Sequence, residues 1–150
     1  MKKLGLLFTS MAFLAQLVLA QSLPVKNQDV SPDQLRKQNK EIAQLAAKQL
    51  SKNLPQVVNK YTTVVSIKAS GASLIYTYEI KTGAKSDEAI RKEDRTAWEK
   101  VFIENVCKRS KRFIEAQINL SYVYTSGISK EKLFQFDVTP EKCYKQYGRY

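Results

Sequence analysis

The side chains of this 150-residue sequence that could do chemistry are few: two cysteines, Cys107 and Cys143, a run of cations around both, and a handful of carboxylates in patterned segments. There is no histidine. Without an imidazole the chain lacks the usual general base near neutral pH and cannot assemble a Ser-His-Asp or Cys-His nucleophile. Glu79, Glu99, Glu104 and Asp137 are the acids near ordered segments that could serve as a glycosidase pair. On a basic chain such groups are normally engaged by neighbouring cations, so a carboxylate-dependent hydrolase is the weakest functional expectation. The five glycines are scattered singly and form no phosphate-cradling loop. No cofactor is expected, and no metal either, because two thiolates without an imidazole do not complete a zinc shell.

The cysteines have another use, set by where the chain goes. Residues 1–20 open with Lys2 and Lys3, continue as an apolar stretch from Leu4 through Leu19 and end on the small Ala20. That is the layout of a secretory signal peptide cut before Gln21. Gln21 rather than a cysteine follows the cut, so no lipid anchor is expected, and no later apolar run approaches membrane length. Cleavage would remove two of the 25 lysines and arginines and none of the 14 acids, leaving a net charge of +9. Two thiols sent to an oxidising compartment normally pair. A Cys107–Cys143 disulfide should contribute about 4 kcal/mol on the chain-entropy model.

The same bond would gather charge. It holds its two Cα atoms about 5.5 Å apart, and so draws Lys108, Arg109, Lys111 and Arg112 alongside Lys142 and Lys145. Tyr144, Tyr147 and Tyr150 follow in the same tail, mixing flat rings with positive charge as anion-binding surfaces often do. The plain alternative is a solvated basic helix end, since cations suit a helix C-terminus.

Several elements must position these residues. Residues 21–30 are expected to form a flexible leader, 31–143 a single α+β domain, and 144–150 a basic, aromatic tail. Ser31, Pro32 and Gln34 make a capping-box start for a first helix, whose apolar stripe is Leu35, Ile42, Leu45, Ala46 and Leu50. From Tyr61 the period becomes two: Val65, Ile67 and Ala69 lead to a Ser70-Gly71 turn, and Leu74, Tyr76, Tyr78 and Ile80 return as a second strand. A second helix is expected over about Asp87 to Cys107, apolar along Ile90, Ala97, Trp98, Val101, Phe102 and Val106. Asp87–Arg91, Glu88–Lys92 and Glu104–Lys108 stand at i,i+4 as supporting pairs. Ile118, Leu120, Tyr122 and Tyr124 begin a third strand, Ser126-Gly127 turns it, and Phe134, Phe136 and Val138 form a fourth.

The order helix-strand-strand-helix-strand-strand predicts an antiparallel or mixed four-stranded sheet with both helices on one face. The other face, bearing Ser66, Lys68, Thr77, Glu79, Ser121 and Gln135, is left to water or a partner. A Leu-x-Tyr-x-Tyr pattern occurs at Leu74 and again at Leu120. It suggests an internal duplication, although half-buried strands favour tyrosine in any case.

Taken in order, Leu54-Pro55, Val58, Leu74-x-Tyr76-x-Tyr78, Cys107, Leu120-x-Tyr122-x-Tyr124 and Cys143 give a chain that resembles small exported bacterial single-domain proteins of unassigned function, over roughly residues 40–143. The resemblance implies a secreted domain with one disulfide and no particular reaction. The expected function is therefore that of a periplasmic or secreted non-enzymatic binding protein. Its partner would be an anionic envelope component or an acidic protein, met by the basic corner or by the polar sheet face. An immunity-type protein that neutralises an acidic enzyme in the same compartment is the alternative. Nucleic acid is a weaker expectation, because the chain carries no RNA-recognition or helix-turn-helix signature.

Overall fold

The computed structural model describes residues 31–148; the signal peptide and the leader expected over residues 1–30 lie outside the described residues, as does Tyr150. The chain begins with helix α1, Pro32–Leu50, capped as its sequence requires. Ser31 Oγ accepts from the Gln34 amide at 3.2 Å, and the Ser31 amide donates to Gln34 Oε1 at 3.0 Å. A single 3-10 turn leads to strand β1, Gln56–Asn59, followed by β2, Thr62–Ser70, and β3, Ser73–Ile80. Three helices then cross over: α2, Asp87–Lys92, α3, Thr96–Arg109, and α4, Lys111–Glu115. Strands β4, Asn119–Ser126, and β5, Lys132–Val138, form a hairpin, and α5, Pro140–Tyr147, closes the domain.

The sheet is mixed and runs β1-β2-β3-β4-β5, antiparallel throughout except for the central β3–β4 pair, which is parallel. The α+β class and the two hairpins are as expected, but the sheet has five strands and not four. The extra strand, β1, is four residues long and exposed along its whole length. Its Gln-Val-Val-Asn sequence has no alternation, and only pairing with β2 makes it a strand. The parallel pair also explains the recurring Leu-x-Tyr-x-Tyr pattern. Leu74 lies opposite Leu120, Tyr76 opposite Tyr122 and Tyr78 opposite Tyr124, so both copies present the same side chains to one face. Adjacent in-register strands accomplish this without a duplicated unit.

Both α1 and α3 contribute to one hydrophobic core that covers a single sheet face, built on Leu74, Leu120, Tyr122, Tyr124, Phe136 and Val138. On the opposite face none of Ser66, Lys68, Thr77, Glu79, Ser121 and Gln135 is buried, in line with an open polar side. The expected stripe of α1 holds at Ile42 and Ala46, which pack against the core, but not at its leucines. Leu35, Leu45 and Leu50 are exposed, while Asn39, Ala43 and Ala47 are buried. The small alanines let the helix approach the sheet more closely than a row of leucines could, and close packing is what the core rewards. The buried Asn39 amide reaches the carbonyl oxygens of Leu35 and Ala116 at 3.2 and 3.1 Å.

The second helix is likewise not continuous. It breaks at Glu93–Arg95 because local hydrogen bonds end one helix and start the next. Arg95 turns back, donating to the carbonyl oxygens of Glu93 and Ile90, and Asp94 Oδ1 accepts from the Thr96 amide at 2.9 Å. Of the side chains expected on its apolar side, Ile90 and Val106 are buried, whereas Ala97, Trp98 and Val101 are exposed. Glu88–Lys92 and Glu104–Lys108 pair at 2.6 and 2.7 Å. Asp87–Arg91 does not appear among the ion pairs: Arg91 reaches Glu131 at 2.5 Å and Asp87 accepts from Ser129 Oγ at 2.6 Å, both joining α2 to the β4–β5 turn.

Candidate functional site

The disulfide is formed between Cys107 and Cys143, with Cα atoms 5.6 Å apart and both residues fully buried. It ties the end of α3 to α5, and the helices carrying the predicted basic residues adjoin at that end of the sheet. Lys108 and Arg109 stand in the last turn of α3, Lys111 and Arg112 open α4, and Lys142, Tyr144 and Lys145 lie on α5. Tyr144 to Tyr147, expected in a tail, are part of that helix, which starts on a Thr139 cap and Pro140.

The corner is less uniform than its sequence suggests. Lys108 bonds Glu104, whose carboxyl is held below the usual carboxylate range chiefly by that hydrogen bond. The Lys142 ammonium donates to the Asp137 carbonyl at 2.7 Å. Tyr144 is half-buried and acts as a strut: its hydroxyl donates to the Ile114 carbonyl and accepts from Gln117 Nε2, both at 3.1 Å. Lys145, with Glu141, Gln117 and Tyr144, borders a shallow hollow of about 940 Å³. Lys111 and Arg112 are exposed. Arg109 alone of the six cations turns toward a different feature, a cleft along α3.

That cleft was not anticipated. Its floor is the tyrosine ladder of β3 and β4. Tyr76 stacks on Tyr122 with ring centroids 5.0 Å apart, Tyr78 on Tyr124 at 5.0 Å, and Tyr124 on Phe134 at 4.5 Å. One wall is α3, from which Trp98 meets Phe136 edge-on at 4.9 Å and Phe102 meets Tyr122 edge-on at 4.9 Å. Arg95 covers the far face of the cluster, its guanidinium 4.2 Å from the Phe134 ring centroid. Two cavities flank Trp98. One, of about 380 Å³, runs past Val101, Phe102 and Tyr122 to Arg109 and Ser110. The other, of about 670 Å³, runs past Tyr78 and Tyr124 to Val58, Tyr61 and Lys81. Trp98 lines both and remains 46% exposed, so a large aromatic surface sits in an open groove with a cation near each end. The signal for it was present in the two Tyr-x-Tyr runs, but alternation alone does not tell a covered strand from the floor of a cleft.

Burial raises the phenols of the ladder. Tyr76 and Tyr124 are pushed up to about 12 from the ordinary 10.0, and Tyr78 and Tyr122 also rise, desolvation being the largest cause for all four. An alkaline titration followed at 295 nm should therefore show a group of phenols that ionise late. The unfolded chain sheds these protons first, so stability is complete below pH 10 and declines between pH 10 and 12. Phenol absorbance rising in a single step at the ordinary value, with the fold intact, would contradict this packing.

Three of the four candidate acids are engaged by neighbouring side chains. Glu79 pairs with Lys130 at 2.8 Å, Glu104 with Lys108, and Asp137 accepts from Gln135 at 2.7 Å and from Ser121. None of the cavities described above is lined by two of them. What the arrangement can do is hold an apolar group against rings, with positive charge beside it.

The chain belongs to the DUF8479 family, a domain of unknown function, whose model matches residues 37–134. No curated protein matches it. Among solved structures it is similar to a protein of Pseudomonas aeruginosa assigned as secreted, at 15% identity and TM-score 0.63, over 73% of this chain and 96% of that one. It is also similar to the type 2 secretion system pilotin of Vibrio vulnificus, at 14% identity and TM-score 0.59, over 74% of this chain and 96% of the pilotin. The type II secretion system pilotin of Vibrio cholerae gives 15% identity and TM-score 0.56, over 74% and 97%. At such identities the likeness is one of fold.

Proposed function

We propose that the protein is a non-enzymatic binding protein of the cell envelope, periplasmic or secreted, that takes an apolar segment of an acidic protein partner into its aromatic cleft. The observation that carries this is Trp98, left nearly half exposed in a groove between α3 and the tyrosine ladder of the sheet. Exposed tryptophan and tyrosine beside arginine is the composition of binding hot spots. Arg109 links the cleft to the basic corner around the disulfide, where Lys108, Lys111, Arg112, Lys142 and Lys145 would meet the partner's carboxylates and set the encounter rate. Export is supported by the signal-peptide layout of residues 1–20 and by the buried disulfide. The fold likeness to two secretion-system pilotins supports a protein-binding role over a catalytic one.

Capture from a native envelope extract tests it. A defined stoichiometric complex is expected that weakens with salt. Val101→Asp, which places a charge in the cleft on an exposed side chain, should weaken it about tenfold or more. Replacing Lys108, Arg109, Lys111 and Arg112 together by Ser should weaken it further while leaving the melting curve in place. Unaltered binding by both variants at low salt would remove the proposal.

A further inference from the structure

The end of the sheet opposite the disulfide carries a second surface. Because β3 and β4 run parallel and each neighbouring strand turns back, three connections gather there: the β1–β2 turn, the segment after β3 and the β4–β5 turn. Backbone bonds join them, from the Lys81 amide to the Tyr61 carbonyl at 2.9 Å and from the Gly127 amide to the Ile80 carbonyl at 2.8 Å. A Cβ at Gly127 would stand 3.2 Å from that Ile80 oxygen, so glycine allows the close approach. Turn apices are normally polar, yet here Ile128 in the β4–β5 turn is 82% exposed and Tyr61 in the β1–β2 turn 55%, with Val57 on the adjoining strand β1 at 71%. Lys60 Nζ lies 4.7 Å from the Tyr61 ring centroid. Among the described residues no carboxylate forms an ion pair with Lys60 or Lys81, whereas Lys130 is matched by Glu79.

We propose that this tip docks on an anionic lipid surface, with Ile128 and Val57 entering the acyl boundary, Tyr61 at headgroup depth and Lys60 and Lys81 on the lipid phosphates. Each residue type suits its level: aliphatic side chains gain by leaving water, tyrosine favours the interface, and lysine stems snorkel toward anionic headgroups. Charge complementarity selects the lipid over a second copy of this chain, whose tip would oppose the same unmatched lysines. Tyr61 and Lys81 also line the larger cavity of the cleft, but Ile128 and Lys60 line neither, so changes at those two residues test this inference apart from the binding role proposed above.

Co-sedimentation of the exported chain with vesicles decides it. Vesicles of equal parts phosphatidylcholine and phosphatidylglycerol should bind the protein in a salt-sensitive way, and phosphatidylcholine alone should bind it at least about tenfold less. Ile128→Asp and Lys60→Glu should each lower partitioning about fivefold to tenfold, with an unchanged melting temperature because both residues are exposed. A Lys111→Ser, Arg112→Ser variant at the opposite end should retain binding within about twofold. The idea is overturned if no vesicle binds the protein, if Ile128→Asp binds as well as the parent, if binding is lost only with the Lys111 and Arg112 changes, or if the tip variants alter self-association and not partitioning.

Discussion

Cys107→Ala with Cys143→Ala is expected to lower stability by about 4 kcal/mol and the melting temperature by about 15 °C. The bond joins residues separated by 36 positions, and closing a loop of that length removes a corresponding amount of freedom from the unfolded chain. Alanine is the appropriate replacement, since both sites are fully buried and a hydroxyl there would lack a partner. Melting the parent with and without reductant measures the same quantity. The consequence reaches the predicted basic residues too, because the disulfide ties α3, which carries Lys108 and Arg109, to α5, which carries Lys142 and Lys145. An equal melting temperature with and without the bond would mean that neighbouring contacts already hold the two helices together.

Leu120→Ala should cost about 3 kcal/mol, read as a lower urea midpoint with little change in slope. Leu120 is 1% exposed in β4, paired on both sides and packed into the core beneath the helices. The matching change on α1, Leu45→Ala, should move stability by no more than about 0.5 kcal/mol, because Leu45 is 67% exposed. The pair is informative together. Periodicity assigns both leucines to the core, and only one of them is in it. Comparable losses at the two sites would place α1 in the rotation its leucines suggest and would refute the buried row of Asn39, Ala43 and Ala47.

Local chemistry was legible wherever a residue acts on its near neighbours. The capping box at Ser31, the turn at Ser70-Gly71 and the Glu88–Lys92 and Glu104–Lys108 pairs all form as their spacing requires. The three-residue break in the second helix was not foreseen. It depends on Arg95 folding back over Ile90 and Phe134, a contact between a helix end and a distant strand. For the same reason Arg91 prefers Glu131 to the carboxylate on its own helix.

By itself the sequence determined the α+β class, both hairpins, the pairing of the two cysteines and the absence of an imidazole for catalysis, because each depends on composition or on neighbours within a few positions. Tertiary structure alone decided which side of α1 meets the sheet, that β1 exists, and that the two Tyr-x-Tyr runs lie in parallel register as the floor of a cleft. These outcomes turn on how closely two surfaces can approach and on which strands become neighbours. A chain expresses such long-range geometry only once its core has closed.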